Sequence, residues 1–159
     1  MKSTGIGKLT RISSFLENLK HWPHKQQVFQ NFGFLEEEYD FVIERDDTKN
    51  FSVFIATSKR CVIKIFIDTK ETAVTIEPVG EAKQELIDKG HTPKAIEIGL
   101  IVEYCEPELV RPRRWEMSYS VALQWLSFYT KKHCKNMLAG DFSQLSELEK
   151  FSEERKNKI

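Results

Sequence analysis

The sequence predicts an α+β fold, a four-stranded antiparallel meander with two amino-terminal and two carboxy-terminal helices packed mainly on one face. Three observations predict it: apolar residues recur at helical spacing toward both ends of the chain, the spacing changes to two between Phe41 and Pro78, and the period-two segments are joined by short polar connections. Short connections suit hairpins, whereas parallel strands need crossovers of a dozen residues or more.

The first helix is expected over Leu9 to Leu19, where Leu9, Ile12, Leu16 and Leu19 form one stripe, and Trp22-Pro23 ends it. A second fits Lys25 to Tyr39, with Val28, Phe32, Leu35 and Tyr39 turned inward and Glu36, Glu37 and Glu38 near its end. Carboxylates there oppose the helix dipole and mark an acidic surface.

Four strands follow at about 41–46, 51–57, 60–67 and 72–78. Phe51, Val53 and Ile55 are read as alternating with Ser52 and Ala56, and Cys61, Ile63, Ile65 and Ile67 with Arg60, Lys64 and Asp68, which gives a sheet with one wet face. Gly80 to Gly90 reads as a short helix or loop. From Thr92-Pro93 to Tyr104 a helix competes with a strand, because Ile96, Ile98, Leu100, Val102 and Tyr104 alternate and Gly99 weakens a helix by about 1 kcal/mol; the helix is the preferred reading. Glu106 to Arg114 is a loop, a long helix runs from Ser118 to Ala139, and Gly140 stops it as a left-handed residue. Asp141 or Ser143 caps a last helix carrying Leu145 and Leu148. Residues 1–8 and 153–159 are expected to be flexible, and all 159 residues form one domain, since no repeat, low-complexity tract or linker divides them. The buried set is expected to include Leu16, Phe32, Leu35, Val53, Ile63, Ile65, Leu126 and Tyr129.

Lysine plus arginine equals aspartate plus glutamate at 24 each, so no net field steers the chain to a polyanion or an acidic membrane. The 3 cysteines, Cys61, Cys105 and Cys134, contain no CxxC pair and suit reduced thiols rather than a disulfide framework or a thiolate zinc site. With no signal-like or membrane-length apolar run, a cytoplasmic location is expected.

No catalytic, cofactor or metal constellation emerges. His21 and His24 have HxxH spacing but lack further ligands, and His133 and Cys134, as helix neighbours, point about 100° apart and cannot share a proton. His133 instead continues the stripe Ala122, Leu126 and Tyr129 as a structural histidine. Gly5-Ile6-Gly7-Lys8 lacks the spacing of a phosphate loop. Two charged groups remain as candidate partner-binding surfaces: the acids Glu36, Glu37, Glu38 and Asp40, and the basic loop Arg111, Arg113, Arg114 with Trp115.

Three segments carry a resemblance. Phe32 to Phe41 (FGFLEEEYDF) is similar to an "FLxxEYGF" opening, Leu100 to Leu109 (LIVEYCEPEL) to an "LxxIVxYxxPEL" helix, and Leu126 to Thr130 followed by Met137 to Ser143 (MLAGDFS) to a terminal helix and "iLxGDFS" turn. Together they resemble a large group of small uncharacterised bacterial proteins that are themselves similar to immunity proteins of polymorphic toxin systems. The resemblance implies a protein that neutralises a cognate toxin by direct contact; it favours a helix before Tyr104 and carries over no catalytic residue. Asp40 departs from the pattern, which has glycine as a left-handed cap. The expectation is therefore a non-catalytic protein-binding protein without cofactor, metal or membrane association. Its alternatives are a nucleic-acid-binding module using the Arg111 to Trp115 loop and an enzyme whose pocket gathers distant residues.

Overall fold

The computed structural model describes residues 24–46, 52–68, 71–112 and 117–158. The helix expected over Leu9 to Leu19, together with Leu16, His21 and the glycines near the amino terminus, lies outside them.

The strands are β1 (Val42–Arg45), β2 (Ser52–Thr57), β3 (Cys61–Ile67), β4 (Thr72–Pro78) and β5 (Ile96–Glu97). They form one antiparallel sheet in the order β1-β2-β3-β4-β5. Among the described residues the sheet therefore has five strands rather than four. β5 escapes a sequence reading because it is two residues long and becomes a strand only by pairing Ile96 with Ile76 and Glu97 with Thr75.

The inward side of β2 is also corrected. Register pairs Phe54 with Ile65 and Ala56 with Ile63, so Phe54 and Ala56 join Ile63, Ile65, Val74 and Ile76 in the core, and Val53 and Ile55 lie on the opposite face. The segment SVFIAT is apolar on both faces, so its own alternation cannot decide its orientation; cross-strand register does. That opposite face is not simply wet either, since Val53 and Val62 are buried on it beside the Lys64–Glu77 ion pair at 3.3 Å.

Among the described residues the helices are α1 (Lys25–Phe32), α2 (Phe34–Tyr39), α3 (Gly80–Asp88), α4 (Ile98–Cys105), α5 (Tyr119–His133), α6 (Lys135–Leu138) and α7 (Leu145–Lys156). The helix expected over Lys25 to Tyr39 is interrupted at Gly33, where the amides of Glu36 and Glu37 both turn back to the Gly33 carbonyl. The segment 92–104 divides into β5 and α4. The long helix begins as expected, with Ser118 Oγ accepting from the Val121 amide, but breaks at Cys134. The last helix persists through Lys156, beyond the point at which it was expected to fray, and Arg155 reaches Glu103 of α4 at 3.2 Å. Neither Asp141 nor Ser143 is its cap, which is Gln144; Asp141 instead accepts the Ser143 amide at 3.0 Å. Every one of these helices contributes side chains to a single core against the inner sheet face, among them Phe32, Leu35, Ile101, Leu123, Leu126, Met137 and Leu148. Of the expected buried set, Phe32, Leu35, Val53, Ile63, Ile65 and Leu126 are buried and Tyr129 is half-buried.

Two of the resembling segments resolve into fold chemistry. Asp40 adopts φ 57° and ψ 32°, so aspartate takes the left-handed cap where the pattern has glycine, and the Phe41 amide closes onto the Leu35 carbonyl. At the other end Gly140 has φ 93°, and a Cβ there would lie 2.5 Å from Arg60 Nε. Arg60 uses the space: Nε and Nη2 donate to the Gly140 carbonyl at 3.4 and 3.3 Å, and Nη2 also donates to Glu85 Oε2 at 2.8 Å. One side chain thus ties the start of β3 to α3 and to the turn between α6 and α7, around a cavity of about 350 Å³.

Candidate functional site: helix α5 and its two flanks

Helix α5 turns Leu123, Leu126, Ser127 and Thr130 inward. A helix with that buried stripe presents residues 121, 124, 128, 131 and 132 on the opposite side. Here that side is only partly polar: Gln124, Lys131 and Lys132 share it with Val121, 50% exposed, and Phe128, 59% exposed, and half-buried Trp125 stands between these two at spacings of four and three. The rings of Trp125, Phe128 and Tyr129 form a continuous group, Tyr129 lying 4.6 Å from Trp125 and 5.0 Å from Phe128 between centroids.

On one flank α5 meets α1 and α2. Ser127 Oγ donates to the Asn31 carbonyl, and Lys131 Nζ lies 3.7 Å from Glu38 and 4.6 Å from the Phe34 ring centroid. The acidic candidates take different tasks here. Glu36 accepts the Ile43 amide at 3.1 Å, covering an outward-facing donor on the edge strand β1, and Asp40 is the left-handed cap. Glu38 belongs to the α5 pair, and Glu37 is exposed beside it.

On the other flank Glu106 accepts from Lys132 Nζ at 3.0 Å and shares a hydrogen bond with His133 Nε2, while the His133 ring stacks on Tyr129 at 6.0 Å. Those bonds, His133 first and then Lys132, hold the Glu106 carboxyl below its ordinary range. His133 is thus a structural partner of Glu106. Its neighbour Cys134 is buried, and desolvation pushes that thiol up to about 12; burial raises Cys61 as well, which leaves both as thiols at neutral pH. His24, left-handed at φ 66°, packs edge-on to Tyr119 at 4.4 Å and is held below the ordinary histidine range by burial and then by Arg45.

Arg111 is drawn inward from the basic loop. Its guanidinium lies over Trp125 at 5.4 Å, faces Glu97 at 3.7 Å, and occupies the space a Cβ of Gly99 would need, 2.3 Å from Nη1. Gly99 is therefore the seat of an arginine as well as a weak point in a helix. Arg113, Arg114 and Trp115 lie outside the described residues. The structure does not bring the acidic group and Arg111 together, since they sit on opposite flanks of α5.

Beside Arg111 the segment before β5 and the helix α7 enclose a cleft of about 560 Å³, lined among others by Lys94, Glu97, Arg111, Glu149, Glu153 and Lys156. Arg111 Nε and Glu149 Oε1 are each shielded from solvent without a hydrogen-bond partner. Among the described residues, no three His, Cys, Asp or Glu side chains gather where they would hold a metal ion, and no helix is long and apolar enough to cross a membrane. The chain matches no protein-family model, no curated protein and no solved structure.

Proposed function

We propose that the chain is a non-catalytic binding protein acting by stoichiometric contact with a protein partner, as an immunity-type protein does when it neutralises a cognate toxin. The outward row of α5 carries the reading. Single exposed apolar residues are ordinary, but Val121, Trp125 and Phe128 lie together at helical spacing, with the rings of Trp125 and Phe128 each against Tyr129, the make-up of an interface anchor. Val110, 88% exposed and adjacent to the arginine that covers Trp125, adds to the apolar surface.

The rim suits a partner of complementary charge. Lys131 and Lys132 stand on either side of Phe128, each about half exposed and each using one carboxylate for an ammonium group with three donors. A partner offering an apolar pocket with an acidic rim extends both pairs, and the resemblance at Phe32 to Phe41 and Met137 to Ser143 supplies the immunity-type reading. The test is co-expression with the product of an adjacent toxin-domain gene: the two chains purify as a stoichiometric complex and the cells survive. Oligonucleotide binding that weakens steeply with salt and falls on replacing Arg111, Arg113 and Arg114 favours a nucleic-acid module instead.

A further inference from the structure

The cleft between β5 and α7 has a lining that the partner reading does not use. Its charges are of both signs: Lys94, Arg111, Arg155 and Lys156 against Glu97, Glu149 and Glu153, with Arg155 already paired to Glu103 outside the cleft. A bare phosphate entering it meets three carboxylates, and a diamine meets four cations, so neither single-sign ligand is matched.

Arg111 is the best-fixed of these groups. Trp125 supports its plane, Gly99 leaves room for Nη1, and Glu97 holds Nη2 at 3.7 Å, so the fork is set before any ligand arrives. The two solvent-shielded atoms without partners on this lining, Arg111 Nε and Glu149 Oε1, have opposite roles, one a donor and one an acceptor. The volume of about 560 Å³ falls in the range of small-molecule sites.

We infer that this cleft is a binding site for a small dipolar ligand carrying a carboxylate and a protonated amine, that is, a free amino acid or a short peptide. The carboxylate goes to Arg111, with Lys94 and Lys156 at its sides, and the ammonium to Glu149 and Glu153. The shared chemistry is the pairing of the two groups, and a series from glycine through glycylglycine to triglycine separates the free amino acid from the peptide as its source.

The experiment is thermal shift and calorimetric titration of the isolated chain with that series, using inorganic phosphate and putrescine as single-sign controls. At least one member of the series is expected to raise Tm by a few degrees at saturation, with the controls giving no such rise. Glu149→Gln is expected to weaken that ligand about tenfold while leaving the ligand-free Tm close to the parent's. Lys94→Ala, at an exposed position, gives a second reading that does not disturb the Arg111 seat, with a smaller loss expected. A shift with phosphate or putrescine equal to that of the series overturns the proposal. So does the absence of any shift, or affinity unchanged in both variants.

Discussion

Arg60 and Gly140, 80 residues apart in sequence, meet through two hydrogen bonds from one guanidinium to one carbonyl, and the approach is open only because residue 140 has no Cβ. Gly140→Ala is therefore expected to be destabilising twice over, through φ 93° and through collision with Arg60, by about 1–3 kcal/mol. In urea melts Arg60→Ala should relieve part of that loss. If the two single changes add without coupling in the double mutant, the staple is not what fixes the turn.

The corrected facing of β2 makes a paired prediction. Ile63→Ala removes a fully buried inner side chain and should cost about 2–5 kcal/mol, whereas Ile55→Ala, half-buried on the opposite face, should cost about 1 kcal/mol or less. Equal losses in denaturant melts would return the register to doubt. Leu126→Ala belongs with the large losses, because its side chain enters the same core from α5.

Thiol reactivity separates the cysteines by burial. Cys105 is exposed, although desolvation and then Glu106 raise its thiol as well, while Cys61 and Cys134 are fully buried with raised pKa values. Native protein treated with a disulfide reagent at neutral pH should release one equivalent of chromophore, and the other two only after unfolding. Cys105→Ser should remove the native reaction; rapid reaction of two or three thiols in the native state would contradict the burial.

Acid stability depends on two carboxylates held below their ordinary range, Glu106 by His133 and then Lys132, and Asp141 by the Ser143 amide and hydroxyl. For each, the folded value lies below the unfolded one, about 4.3 for glutamate and about 3.9 for aspartate. Their stabilising contributions are complete above those values and are lost as pH falls through the folded ones. Urea midpoints between about pH 7 and pH 3 should fall less steeply below the glutamate range for Glu106→Gln than for the parent. Parallel acid limbs would show that Glu106 gains nothing from His133 and Lys132.

Local chemistry made much of this legible. The strand ends, the Ser118 cap and the left-handed Gly140 follow from alternation, a hydroxyl and a glycine, each readable without tertiary information. Three features were not legible because partners distant in sequence create them: the two-residue β5, the inward side of β2, and the role of Gly99 as the seat of Arg111. The acidic candidates are neighbours in sequence, but their dispersal into an edge cover, a cap and an ion pair depends on Ile43 and Lys131. The α5 row does carry a signal in the sequence. Once Ala122, Leu126 and Tyr129 define a core stripe, the apolar residues at 121, 125 and 128 form a second row that the same core does not fully bury.

That second row is where the account of function is most exposed to test. The direct measurement takes the toxin-domain protein that the proposed function expects to be encoded beside this chain and titrates it calorimetrically with the parent chain and with Phe128→Asp, a residue that is 59% exposed and whose replacement should leave folding unaffected. The account predicts one partner per chain for the parent, a loss of at least about a hundredfold in affinity for Phe128→Asp at unchanged Tm, and loss of cell rescue by the same variant. Binding and rescue undiminished by Phe128→Asp, or a parent chain that neither binds that product nor protects the cell from it, would contradict the account.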